Sequence, residues 1–382
     1  MSSRPIAALL AAALLGASAL AVRAQTAEAP DPGAPAATTS MAPAAQPAAP
    51  DLSEAAINGA DFAGYEARRK AQVDAARAAS DPAKGDPVAA KIATEAPKAD
   101  PDPFLIRLQV LLDRAHASPG VIDGLAGGNT AKAIRAFGEM HDLNAGDQPS
   151  EALWQALGKD AGPAVKTYKI TAEDAGGDYV PDLPADYAKL AELKWLGYRD
   201  VAEMLAERFH MDEDLLKRLN PDADFGKAGT KLLVAEPGPD PEAERKVERI
   251  VVDKSRGELF AYDKEKALIL ALPATIGSSD TPSPSGTMKV NGSKADPEYE
   301  YDPKNFVQGK NRKALTLPPG PNGPVGNMWI DLSKPTYGIH GTPEPSEIDK
   351  TASHGCVRLT NWDAHALARL VQPQRTVVEF KG

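Results

Sequence analysis

Cysteine is nearly absent: the 382 residues hold one, Cys356. With no second cysteine the chain closes no internal disulfide and offers no thiol pair to a zinc ion. An odd cysteine in an exported chain points to a reactive thiol or an intermolecular bridge, against the plainer alternative of a buried structural residue. Excess positive charge is missing too. Lys and Arg total 43 against 53 Asp and Glu, a formal net charge of −10. That balance argues against nucleic acid or anionic membrane as partner, since both need clustered Lys and Arg, and speaks only for solubility. Long apolar runs are lacking after the first two dozen residues, so no later segment is expected to span a bilayer.

Those first residues read as a secretory signal. Arg4 supplies a positive start, Ile6 to Ala21 an apolar run, and Val22-Arg23-Ala24 the small residues a signal peptidase reads. The run is short for a span and no stop-transfer pattern follows, so cleavage after Ala24 is expected rather than retention as an anchor. Losing Arg4 and Arg23 moves the net charge from −10 to −12. No cysteine follows the leader to take a lipid. The expectation is an exported, periplasmic, wall-associated protein.

From Gln25 to about Ala49 the chain is nearly all Ala, Pro, Thr and Gln, with little to bury. Residues 51–80 suggest a solvated helix, and Pro82, Pro87, Pro97, Pro101 and Pro103 return the chain to linker character. Residues 25–102 are therefore expected to form a disordered tether. Order begins near Phe104. Leu105, Leu108, Leu111 and Leu112 share one helical face. Asn129 or Thr130 is the expected cap of a second helix with Ala133, Ile134 and Phe137, and Ser150 opens a third with Leu153, Trp154 and Leu157. Between 165 and 237 a strand near Tyr168, helices over Val201–Phe209 and Leu215–Leu219, and a strand over Lys231–Val234 are predicted. Beyond Pro241 short β-branched runs take over, with long loops at 277–285 and 294–327 and one late helix from Asn361 to Val371, started by Thr360 and Asp363. A long loop of this kind suggests a lid or substrate wall.

The site is expected around the thiol. Acyl transfer on a cysteine needs a nucleophile, a base, something to orient that base, and donors for the oxyanion. Cys356 is the nucleophile candidate. His340 ends the apolar stretch Tyr337-Gly338-Ile339, which places it at the lip of a sheet as base. His354 precedes Cys356 by two residues and faces the same way in extended backbone; orienting His340, raising local potential and plain packing all remain open for it. The N–H groups of Gly355 and Cys356 suit an oxyanion, and the carbonyl of Gly341 is a candidate to hold the imidazole tautomer. Two His and one Cys without a second Cys do not make a usual zinc set, so no metal and no cofactor is expected. His116, His141, His210 and His365 read as surface or satisfied core residues.

Ile339-His340-Gly341-Thr342, Ser353-His354-Gly355-Cys356-Val357-Arg358-Leu359, and Asn361 with Asp363 together resemble the signature of the L,D-transpeptidase (YkuD-like) catalytic domain. Thr281-Pro282-Ser283-Pro284-Ser285-Gly286-Thr287 and Pro319-Gly320-Pro321-Asn322-Gly323-Pro324-Val325-Gly326 are similar to two further segments of it, with Gly323 where relatives often carry Asn. Upstream, Leu108-Gln109, Val121-Ile122-Asp123-Gly124, Gly128-Asn129-Thr130, Ala133 and Phe137 resemble a three-helix peptidoglycan-binding domain; Phe137-Gly138 stands where relatives have Phe-Gln. Residues 165–237 resemble a degenerate LysM-like module interrupted at 171–198, or else are a spacer. The implied architecture is multidomain: signal peptide 1–24, tether 25–102, helical bundle 103–158, α+β module 165–237, and a β-rich catalytic domain over 247–382, built of mixed β-sheets plus one main late helix.

The resemblance implies Cys356 as nucleophile, His340 as proton acceptor and donor, and His354 and Gly355 as supporting motif. Arg358, with Gly341 and Ser353, is implied on the substrate side, a structural salt bridge being the alternative for Arg358. The implied cycle forms a cysteinyl thioester on a peptidoglycan stem tetrapeptide, releases D-Ala, and passes the acyl group to a second stem as a 3→3 cross-link. Carbapenems are implied inhibitors. Water as acceptor, an outer-membrane protein as acceptor, and a non-catalytic wall anchor are the competing readings. Residues 103–237 are expected to raise wall affinity without completing the site.

Overall fold

The computed structural model describes residues 50–79, 100–158, 162–277, 283–303, 313–351 and 355–382. Order starts earlier than expected. Ser53 caps α1 (Glu54–Asn58) by accepting from the N–H of Ala56, and α2 (Phe62–Ala79) follows. Ile57 is fully buried, Tyr65 stacks on Phe104 at 4.7 Å, and Arg68 grips Asp102 with two hydrogen bonds of 2.9 Å. The tether expected over 25–102 therefore gives way at residues 51–75 to a docked helical pair. Its few apolar residues are too sparse to show a period, yet Ile57, Phe62 and Tyr65 all meet one apolar partner, α3 (Pro103–Arg114). The rest of that stretch, 25–49 and 80–99, lies outside the described residues.

Ser150 caps α5 (Glu151–Leu157) as expected, while Asp102 and Pro103, read as tether and linker, instead cap and open α3. Between them α4 (Gly128–Met140) corrects the expected cap: Gly127 occupies that position and no side chain caps it. Thr130 is instead held by Gln109, a residue only 1% exposed. Gln109 also donates to Asp123 at 2.8 Å and accepts from the N–H groups of Asp123 and Gly124. A buried amide with every end paired locks the α3–α4 loop. The Leu-Gln, Asp-Gly and Gly-Asn-Thr pattern thus has a part in the architecture.

The next module runs β1 (Val165–Lys169), α6 (Ala172–Ala175), α7 (Tyr187–Leu190), α8 (Val201–Arg208), α9 (Glu213–Leu219) and β2 (Lys231–Ala235). β1 and β2 pair antiparallel from Val165↔Ala235 to Lys169↔Lys231, so strand, two helices and strand close on themselves as predicted. Asn220 ends α9 and ties it to β2, accepting from the N–H of Leu233 at 2.7 Å.

The remaining strands are β3 (Arg249–Asp253), β4 (Glu258–Tyr262), β5 (Leu268–Pro273), β6 (Gly286–Ala295), β7 (Tyr299–Tyr301), β8 (Leu315–Leu317), β9 (Met328–Leu332), β10 (Gly338–His340), β11 (Val357–Arg358) and β12 (Val377–Lys381), with α10 (Asn361–Leu370) before the last. Eight of them form one mixed sheet in the order β11-β10-β9-β6-β12-β3-β4-β5. Ile250, Val252, Leu259, Ala261, Leu270 and Leu272 face one core with α10 residues Leu367 and Leu370. The alternate residues Val251, Phe260 and Ala271 face a second core with Phe104, Leu108 and Ile134 of the bundle. Burial on both faces explains why these strands read as continuous apolar runs without alternation. At the β5 edge the bundle adds main-chain bonds as well, Ser118 N–H to Ala271 O and Ala271 N–H to His116 O. The loop expected over 294–327 is corrected in part, because β7 and β8 pair within it as a hairpin. Three-residue strands are too short to show a period. Onto this hairpin packs the 171–198 insertion, with Leu190 and Leu196 against Tyr301 and Leu317.

Candidate active site

Strand register gathers the chemistry. β10 pairs antiparallel with β9, placing His340 opposite Trp329, and parallel with β11, placing it opposite Arg358. Ile330, Ile339, Val357 and Leu359 all point into the α10 core. By the period of two, Trp329, His340 and Arg358 share the other face. Cys356 enters β11 two residues before Arg358, and its half-buried thiol donates to the Thr336 carbonyl at 3.6 Å.

His340 is 5% exposed, and its ring lies on Trp329 with 5.6 Å between centroids at 17°. Nδ1 is 2.7 Å from the carbonyl oxygen of Gly341, the group singled out from the sequence. A carbonyl only accepts, so Nδ1 carries the proton and Nε2 of the neutral ring is the acceptor. Burial, aided by Arg358, pushes the His340 pKa down to about 4, although the carbonyls of Gly341 and Val325 favour the charged form. Burial also raises the Cys356 thiol, against weaker opposing effects of the Gly338 backbone and Arg358. Both shifts favour a resting pair of neutral thiol and neutral imidazole rather than a preformed ion pair.

Two glycines are dictated by this geometry. Gly355 has φ of +110°, a conformation that L side chains avoid. A Cβ on Gly341 would come within 2.1 Å of Asn361 Oδ1. The carbonyl of Gly355 accepts from the Ser283 hydroxyl at 2.8 Å, which ties the proline-rich 281–287 segment to the backbone beside the nucleophile. Arg358 makes no ion pair among the described residues, and its buried Nε has no partner. Its electrostatic neighbours are Tyr187, Cys356 and Tyr299. The salt-bridge alternative for Arg358 therefore has no carboxylate to support it there. Ser353 and His354 lie outside the described residues.

Among the described residues no group of three or more His, Cys, Asp and Glu is placed to hold a metal ion. His210 bonds Asp113 at 2.9 Å and His365 bonds Asn327 at 2.9 Å, away from the thiol. Sequence reasoning missed Trp329, Ser283, Tyr187 and Tyr299 as neighbours of the site. Ser283 stood in a recognised segment without a visible role, and Trp329 and the two tyrosines offered no motif at all.

Residues 247–379 match the family of L,D-transpeptidase catalytic domains, YkuD. The chain is 30% identical over 175 residues to the candidate L,D-transpeptidase YkuD of Bacillus licheniformis, covering 45% of this chain and 88% of that protein. With the candidate L,D-transpeptidase YbiS of Escherichia coli K12 it shares 32% over 186 residues, 47% of this chain and 59% of that one. Among solved structures, the L,D-transpeptidase from Mycobacterium smegmatis aligns over 36% of this chain and 59% of its own, at 17% identity and a TM-score of 0.30.

Proposed function

The chain belongs to the L,D-transpeptidase family, and from that premise we propose that it forms 3→3 cross-links between peptidoglycan stems through a thioester on Cys356. The supporting observation is the only thiol of the chain at the entry to β11, beside a strand whose His340 has Nδ1 tied to the Gly341 carbonyl. In this reading Nε2 takes the thiol proton as sulfur attacks the carbonyl at the L-centre of the stem's diamino acid. The N–H groups of Gly355 and Cys356 receive the oxyanion. D-Ala leaves with the proton returned by the imidazolium, and a thioester remains. The side-chain amine of a second stem then attacks the thioester, losing its proton to His340 and restoring the thiol. Arg358, a half-buried cation with no ion pair among the described residues, receives a carboxylate of the peptide, with Ser353 and His354 as supporting groups of the same motif. The β7–β8 hairpin and the 171–198 insertion limit water at the thioester, which is what favours transfer over hydrolysis.

The leader places this chemistry in the periplasm, and no helix among the described residues is long and apolar enough to cross a membrane. The bundle is read as a support of the catalytic sheet rather than a separate glycan reader. Two of its polar groups are taken up by the catalytic domain: Asn129 of the motif donates to Ile348 O at 3.1 Å, and Lys132 close by pairs with Asp349 at 2.5 Å.

Purified muropeptides incubated with the mature protein, then read by mass spectrometry, test the proposal. A dimer linked between two diamino acids, with loss of D-Ala and none formed by Cys356→Ala, is expected. Shortened monomers alone would assign water as acceptor, and a carbapenem adduct that persists in Cys356→Ala would remove the nucleophile assignment.

A further inference from the structure

The tautomer of His340 hangs on one peptide unit, Gly341–Thr342, and that unit is held at both ends. Its carbonyl accepts from His340 Nδ1 at 2.7 Å, and its N–H donates to Asn361 Oδ1 at 3.1 Å. Rotating the peptide plane breaks both bonds. Asn361 opens α10 and is 2% exposed. Its amide has one accepting end and one donating end, so its orientation matters. In the observed orientation Oδ1 also accepts from the N–H of Asn327 at 3.3 Å. Flipped, the NH2 group would face two N–H donors, and a buried donor facing donors costs about 1–3 kcal/mol.

On its donating side, the two shortest bonds that hold this orientation come from outside the catalytic domain. Nδ2 of Asn361 donates to both carboxyl oxygens of Glu207, at 2.9 and 3.2 Å, and to the Pro321 carbonyl at 3.4 Å. Glu207 lies on α8, upstream of residues 247–379, and is 6% exposed. Tyr198 donates its hydroxyl to the same carboxyl at 3.4 Å. Without Glu207, Nδ2 keeps only the long bond to the Pro321 carbonyl, and the observed orientation loses the two shorter acceptors on its donating side.

We propose that Glu207 is a positioning residue for the reaction: from the upstream module it orients the Asn361 amide, and through it the Gly341 carbonyl that keeps the His340 proton on Nδ1. The proposal rests on the reading of His340 as the base. It makes the α8 module part of the active enzyme, and it gives a reason for that module to stand beside this catalytic domain. Burial pushes the Glu207 pKa up to about 8, so a neutral amide is a close mimic of its usual state near pH 7.

The test compares the parent protein with Glu207→Gln and Glu207→Leu, full chain in each case. The 15N spectrum of the histidine ring nitrogens reads the tautomer of His340, and the rate of Cys356 acylation reads the consequence. Glu207→Leu is expected to mix the His340 tautomers and to slow acylation about 10–100-fold, in the rate constant rather than in KM. Glu207→Gln should keep the parent tautomer and a rate within about three-fold, since its amide oxygen still accepts from Asn361. A parent-like tautomer and rate in Glu207→Leu overturns the proposal, as does a Gln variant as impaired as Leu. If Glu207→Leu does not fold, Glu207→Asp, which withdraws the carboxyl by one methylene, should show the same mixing; a parent spectrum there overturns the proposal equally. The tautomer arm decides even where the parent transfers nothing, a result that overturns only the transpeptidase reading.

Discussion

One face of the eight-stranded sheet is covered by its own α10, the other by helices drawn from the first 160 residues of the chain. The two covers differ in kind. The α10 face is closed by a helix of the catalytic segment itself, and it carries Ile339 and Val357, the residues whose opposite side presents His340 and leads to Cys356. The bundle face is closed by residues more than a hundred positions away, with Phe260 and Val251 meeting Phe104 and Leu108. Nothing in the catalytic segment itself replaces them. The lesson is that the reactive segment and the structural unit are not the same length.

Removing everything before Pro241 is the strongest way to break that comparison. It strips the bundle from Val251, Phe260 and Ala271, and Glu207 from Asn361. The truncated chain is expected to aggregate or to lose acylation of soluble substrate altogether, contrary to the sequence expectation that the upstream units only raise wall affinity. A monomeric, active fragment by size exclusion and carbapenem labelling would show the catalytic face to be self-sufficient.

His340 supplies the next largest effect. His340→Ala should slow acylation by about 10²–10⁴-fold. Because the ring's pKa is pushed down to about 4, the base is neutral throughout the ordinary range and is lost as pH falls through about 4. The acylation rate of the parent should therefore stay nearly flat from about pH 5 to 8. An acid limb centred near 6.5, the ordinary histidine value, would mean that His340 is not buried as described.

The two faces can then be weighed against each other in stability. Phe260→Ala on the bundle face should cost about 3–5 kcal/mol and Leu259→Ala on the α10 face about 2–5 kcal/mol. Both should shift one cooperative urea transition. A separate early transition in Phe260→Ala alone would show the bundle to be an independent unit.

A smaller effect, in the pH dependence of stability, sharpens the junction between modules. Burial raises Glu207 to about 8 and Asp363 to about 7. The folded state holds protons that the unfolded chain releases, so their stabilisation is full below the ordinary carboxyl pKa and is lost as pH rises through about 7 and about 8. His340 acts in the opposite direction, its contribution falling as pH drops from 6.5 through about 4. The urea midpoint should decline from pH 6 to 9, and Glu207→Gln should flatten that decline. An unchanged slope in Glu207→Gln would place the alkaline loss elsewhere.

Local chemistry was readable directly. Thr360 caps α10 through Asp363, Ser150 caps α5 and Asn220 closes α9, since each depends on groups within a few residues, whereas Pro103, read as linker, in fact starts α3. The neighbourhood of Cys356 and His340 was readable for a similar reason: a strand ending in His and a motif leading through Cys into a strand need only one parallel pairing to lie side by side. The docking of α1 and α2 was not, because Ile57, Phe62 and Tyr65 are too few among alanines to mark a face. Nor was the hairpin β7–β8, whose strands are shorter than any period.

The amino-acid sequence by itself determined most of the elements, the candidate nucleophile and base, and the family, because each is written in contiguous residues with fixed offsets. Only the tertiary structure decided which faces those elements bury and what stands behind the base. Glu207 precedes Asn361 by 154 residues, and Lys132 precedes Asp349 by 217. No spacing rule connects such pairs. They meet because strands buried on both faces demand a second cover, and the segment that supplies that cover brings its polar groups with it.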